Sequence, residues 1–207
     1  MIRFSSLVGD LTSAWLVTKD EKYIRQAVKH IRAWFIAPET RMNPDLQYAQ
    51  AIKGIVTGRG IGIIDTIHLL EVVQSLIKME EAGVLAVEDV AGSRAWFSDY
   101  LKWLTTHPYG VDEMNAKNNH GTCWVMQVAQ YAKYTEILDF CRNRYRSVLL
   151  PSQMAEDGSF PLELKRTKPY GYSLFNLDAM ATICHILSDG EDDLWQYSMD
   201  DGRNMQK

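Results

Sequence analysis

Little in this chain would tie it down covalently, and nothing in it would hold a metal by spacing. The three cysteines, Cys123, Cys141 and Cys184, form no C-x-x-C pair and lie far apart in apolar surroundings. That pattern argues against a disulfide framework or a zinc site and predicts buried thiols. No dense Lys/Arg block occurs and the net charge is −4, so a general nucleic-acid binder, which must neutralise many phosphates, is not expected. No hydrophobic run approaches the length of a transmembrane helix. Met1-Ile2-Arg3-Phe4-Ser5-Ser6-Leu7 lacks a signal-peptide layout and runs straight into an amphipathic pattern. Strand alternation never persists long enough for a sheet. Without a strand ahead of it, Gly58-x-Gly60-x-Gly62 is not a dinucleotide fingerprint but a helix entry needing close backbone approach.

What remains is helical and rich in large rings. The 207 residues can bury one substantial core, and the 46% hydrophobic share with six Trp and ten Tyr suits a helical interior or a cleft with flat faces for sugars. Leu7 to Val17 has helical spacing, and Thr18-Lys19-Asp20-Glu21 reads as a capping box with Thr18 as the cap. The next stripe is Ile24, Ala27, Val28, Ile31, Trp34 and Phe35, ended by Pro38. After a loop from Ala37 to Gln47, Ile63, Ile64, Ile67, Leu70, Val73 and Leu76 mark another helix, and a further one runs from about Val87 through Trp103. Cys123 to Tyr134, Thr135 to Val148 and Tyr172 to Leu187 follow, with Pro151 to Lys168 mostly irregular. The fold class expected is all-α, with Trp15, Trp34, Phe35, Ile64, Trp96 and Trp124 as core.

Two polar clusters interrupt this pattern. Glu113-Met114-Asn115-Ala116-Lys117-Asn118-Asn119-His120-Gly121-Thr122 reads as a polar loop between buried helices, where a rigid scaffold presents working side chains. Asn119 and His120 supply an amide and a titratable ring, although Asn is also a good N-cap. Downstream, Lys165, Arg166, Lys168, Tyr170 and Tyr172 bring cations and phenols together. Arg suits a carboxylate, and Tyr can carry a proton. Together these groups match one chemistry: neutralise a uronate carboxylate, remove the acidified C5 proton and protonate the leaving O4. Arg59, on its Gly-flanked turn, is a further carboxylate ligand. A hydrolase using Glu156, Asp157 or Glu163 is weaker, because nothing pairs these carboxyls near the Asn/His stretch.

The sequence resembles the alginate lyase domain of polysaccharide lyases. The resemblance is carried by Asn118-Asn119-His120-Gly121-Thr122, by Asp157-Gly158-Ser159-Phe160-Pro161-Leu162-Glu163-Leu164-x-Arg166-Thr167 and by Tyr172-Ser173-Leu174-Phe175-Asn176-Leu177. Thr40-Arg41-Met42-Asn43-Pro44, Gln50-Ala51-Ile52 and Gly58 to Asp65 support it. It implies an α/α toroid of antiparallel helical hairpins and β-elimination without metal or cofactor. Asn119, His120, Arg166 and Tyr172 would be the catalytic set, and Arg59, Gln50, Asn118, Tyr170 and Lys165 would bind substrate. The substrate would be an anionic polysaccharide or oligosaccharide met in the periplasm or outside the cell, with no nucleic-acid or membrane partner. Family domains tend to be longer, so the expectation for 1–207 is a single domain partial at both ends. Such an incomplete toroid would expose apolar faces that favour self-association. The competing expectation is a non-catalytic helical carbohydrate-binding or interaction module derived from such a lyase.

Overall fold

The computed structural model describes residues 1–132 and 138–207. The ends expected at Tyr134 and Thr135 lie outside the described residues. Helix α1 (Ile2–Thr18) turns at Lys19, in the left-handed region at φ 58°, into α2 (Glu21–Ile31), which a π turn (Arg32–Ile36) extends. The cap between them is not Thr18. Asp20 accepts from the Lys22 amide at 2.9 Å, while the Thr18 hydroxyl donates back to the Ala14 carbonyl at 2.7 Å, a bond that a threonine inside a last turn makes readily.

A long loop then leads to a 3-10 segment (Gly60–His68) that passes directly into α3 (Leu69–Glu81). Gly58 sits so close to the preceding chain that a Cβ there would run into the Gln47 carbonyl, the close approach expected at this turn. Helix α4 (Val87–Thr106) follows, then α5 (Pro108–Met114) and α6 (Asn119–Tyr131). Beyond the undescribed stretch come α7 (Leu138–Arg144), a π turn (Tyr145–Leu149), α8 (Leu150–Gln153), the single turn α9 (Pro161–Leu164) and α10 (Pro169–Leu187). Among the described residues there is no strand, only the isolated bridges Ile52–Val56 and Ser198–Asn204.

The helices form two layers. Helices α1, α3, α6 and α10 lie in a row, each packed on the next, and α2, α4 and α7 back them. One run is more apolar than expected: within Gly60–Glu81 an 18-residue window has mean hydropathy 1.5, long and apolar enough to cross a membrane by length and composition. Asp65, His68 and Glu71 interrupt it, which hid the run from a reading by residue type. In the fold Ile63, Leu69, Val72, Val73, Leu76 and Met79 bury into the single core.

That core is bound by aromatic contacts. Phe4 stacks on Trp34 at 4.4 Å, and Phe35 meets Trp96 at 4.6 Å and Phe97 at 5.2 Å. Trp15, Phe35, Trp96 and Trp124 are buried as expected, whereas Trp34 and Ile64 are half-buried at the layer's margin. A polar knot sits inside. The Thr66 hydroxyl meets the Tyr100 hydroxyl at 2.7 Å and the Gln127 side-chain carbonyl, while the Tyr131 hydroxyl donates to the Thr66 carbonyl at 2.8 Å. Burial pushes the Tyr100 and Tyr131 phenols well up, so both stay protonated donors. All three cysteines are free and buried.

Candidate active site

The Glu113–Thr122 stretch is not one loop. Glu113 and Met114 close α5, and only residues 115–118 are irregular before α6 begins at Asn119. The helix therefore starts four residues ahead of Cys123, where the apolar pattern had suggested. Asn118 is the N-cap, its side-chain oxygen accepting from the His120 amide at 3.2 Å. Asn119 and His120 thus stand in the first turn, where backbone N–H groups are unsatisfied and the helix end is positive.

Two buried carboxylates hold this turn. Glu163 Oε1 accepts the Asn119 amide at 2.7 Å, and Glu113 Oε2 lies 2.7 Å from His120 Nδ1. Glu113 is 5% exposed and Glu163 1%. A carboxylate can only accept, so in the neutral ring Nδ1 carries the proton and Nε2 keeps its lone pair. Asn119 is 2% exposed and its Oδ1 is buried without a partner among the described residues. Gly121 is required by packing, because a Cβ there would run into the Ala116 carbonyl. From α7, Arg144 Nη2 donates to the Met114 carbonyl and approaches Asn115 Oδ1 at 3.4 Å, bracing the four-residue link.

The second cluster closes on the first through Glu163. Arg166 Nη1 lies 3.9 Å from Glu163 Oε2, and its guanidinium carbon sits 4.0 Å over the Tyr172 ring. Tyr172 is in the first turn of α10, which begins at Pro169, three residues before the expected start. Helices α6 and α10 pack along each other. Thr122 and Asn176 meet on one side chain, and further along Met126 and Ala179 line one groove, so the helices run parallel with first turns at the same end. The Asn119 backbone N–H and Arg166 therefore meet on one buried carboxylate, Tyr172 lies against Arg166, and His120 is next to Asn119.

The remaining expected residues lie differently. Arg59 donates from Nε to the Gln50 carbonyl at 2.9 Å and from Nη2 to Gln50 Oε1 at 3.2 Å, and Gln50 Nε2 reaches Asp65 at 3.1 Å. This pair connects to the first group through α5, where the Tyr109 hydroxyl donates to the Gly58 carbonyl at 3.0 Å. Tyr170 is 78% exposed, and Lys165 is exposed beside Arg166. Residue type alone did not single out Glu113 and Glu163 as anchors; Glu113 stood in the first cluster, seven residues before His120. Among the described residues no group of three or more His, Cys, Asp or Glu could hold a metal ion.

The family model described as Alginate lyase matches residues 1–207. The chain superposes on the crystal structure of an alginate lyase from Bacteroides ovatus with TM-score 0.91 and 35% sequence identity, over 98% of this chain and 55% of that one. It thus spans about half the length of that relative. No curated protein matches it. The two-layered helical arrangement is that of an α/α toroid.

Proposed function

The chain belongs to the alginate lyase family, and from that premise we propose that it serves a polysaccharide lyase cleaving a uronate-containing, alginate-like polymer by β-elimination. The observation that carries the reading is that Glu163 joins Asn119 to Arg166, whose guanidinium lies over the Tyr172 ring, with His120 anchored on Glu113 beside them.

In this reading Arg166 and the side-chain amide of Asn119 face the uronate carboxylate, the Asn119 backbone N–H being held by Glu163. Neutralising it lowers the barrier to losing the C5 proton, because the developing enolate-like charge meets donors already in place. The C5–H bond breaks, the electron pair forms the C4–C5 double bond, and the C4–O4 bond breaks as O4 takes a proton. Tyr172 delivers that proton. The base is Tyr172 where the C5 proton lies on its face of the sugar, and His120 Nε2 where it lies on the opposite face. The lone pair left on Nε2 by the Glu113 contact supports His120 as a base rather than as a neutral donor. Exposed Lys117, Lys165 and Lys168 flank the site on its two loops and suit an anionic chain. Arg59 and Gln50 would bind a neighbouring sugar, and a periplasmic or secreted location accompanies the reading.

Incubation with polymannuronate and polyguluronate tests it. Elimination creates an unsaturated uronate that absorbs in the ultraviolet, and hydrolysis does not. Binding of either polymer with no rise in absorbance would instead identify a non-catalytic carbohydrate-binding module.

A further inference from the structure

We infer that Gln153 is a positioning residue, whose buried amide sets the separation between His120 on α6 and Tyr172 on α10; this rests on the functional reading above. Gln153 is 4% exposed at the end of the short helix α8. Its Oε1 accepts from the Thr122 hydroxyl at 2.8 Å and from Asn176 Nδ2 at 3.0 Å, and its Nε2 donates to the Asn118 carbonyl at 3.0 Å. Both lone pairs and one of two donors are thereby used, with directions only an amide can satisfy. Thr122 and Asn176 are fully buried, so neither can turn to water instead.

The three partners bracket the proposed proton-transfer groups. Asn118 caps α6 through the His120 amide, and Thr122 lies just beyond His120. Asn176 stands four residues after Tyr172, on the same side of α10. Gln153 therefore joins the first turn of one helix to the second turn of the other. The backbone on either side of it is clamped from later in the chain: Arg203 Nη1 donates to the Pro151 carbonyl at 2.8 Å and the Met154 carbonyl at 2.6 Å, and Asp201 holds that guanidinium at 2.7 Å. An apolar side chain of similar volume would fill the space but not specify the register. A misplacement of about 1 Å between reacting groups can reduce a rate on the order of 100-fold.

Gln153→Met tests this in the full chain, with Gln130→Met as control. Gln130 is equally buried on α6, and among the described residues its Nε2 donates to Gln74 Oε1, at 3.2 Å. In Gln153→Met, kcat on a uronate polymer is expected to fall by roughly 10- to 100-fold with KM within about 3-fold of wild type. The NMR signals of the His120 and Tyr172 rings should move while those of His30 and His185 stay. Thr122→Val, which removes one of the three bonds, should shift the same signals less and serves if Gln153→Met does not fold. Gln130→Met should move neither kcat nor those rings. A folded Gln153→Met with wild-type ring signals, or with wild-type kcat and only a lower Tm, overturns the inference and leaves a purely structural glutamine. If the wild-type chain eliminates no uronate polymer, the functional reading fails, and the ring signals alone decide whether Gln153 holds the two helices in register.

Discussion

Glu113→Gln is the most informative single change, because it alters charge while keeping shape. The carboxylate is 6% exposed and the His120 ring 19%, and their 2.7 Å contact is too short and too buried to be screened by solvent. A hydrogen bond to a charged group contributes about 1.5–3 kcal/mol against about 0.5–1.5 for a neutral one. The amide therefore forfeits about 1–2 kcal/mol of orientation for the ring. If His120 carries a proton in the rate-limiting step, the loss appears in kcat as roughly a 5- to 30-fold decrease. Glu113→Ala leaves Nδ1 without an acceptor and removes about 1–3 kcal/mol more, so its decrease should be larger, on the order of 100-fold or above. Initial rates of ultraviolet absorbance on polymannuronate and polyguluronate give both numbers, and circular dichroism confirms the fold. Wild-type kcat in Glu113→Gln on both polymers would show that the Glu113 contact does not serve catalysis.

Tyr172→Phe should abolish turnover while leaving saccharide affinity by calorimetry nearly intact, since the ring still packs and only the proton is gone. Arg166→Ala should lower kcat on the order of 100- to 1000-fold and raise KM as well, because the substrate carboxylate is charged before and during reaction; an effect on KM alone would remove Arg166 from the transition state. Gly121→Ala should destabilise by about 1–3 kcal/mol in denaturant titration, as the Ala116 carbonyl is backbone and cannot turn aside. Burial lifts the Cys123 and Cys141 thiols from the ordinary 9.0 to about 12. Between those values the unfolded chain has released protons that the folded chain keeps, so stability should fall as pH rises above 9.0 toward 12, and the native thiols should resist alkylation until unfolding. Rapid alkylation of Cys123 or Cys141 in the folded protein at pH 8 would contradict their burial.

Helical stripes were legible because burial repeats with the helix period: Ile24, Ala27, Ile31 and Phe35 face the core in the order their spacing dictates. Boundaries were less so. At the first turn of α6, polar residues that look like loop are the cap and opening positions of a helix, and the Asn-rich composition reflects capping as much as chemistry. Asn119, His120, Arg166 and Tyr172 could be named from residue type and motif, since their chemistry is local. Their supports could not. Glu163 reaches Asn119 across 44 residues, and Gln153 meets Asn118, Thr122 and Asn176 across 35, 31 and 23. A carboxylate or amide at such a distance becomes an anchor only after the helices have packed, and no periodicity records that.

The Thr66 knot has a mechanical meaning for the helices it joins. It pins the 3-10 segment before α3 to Tyr100 on α4 and to Gln127 and Tyr131 on α6 through several buried bonds at once. Sliding any one of these helices by a turn would strand each of those groups away from water, a penalty of about 1–3 kcal/mol apiece. The helical frame therefore behaves as a bolted chassis that cannot give lengthwise. Any opening that admitted a sugar would have to leave these elements in register, so a bound sugar would slow hydrogen exchange outside them while the 3-10 segment, α4 and α6 stay silent.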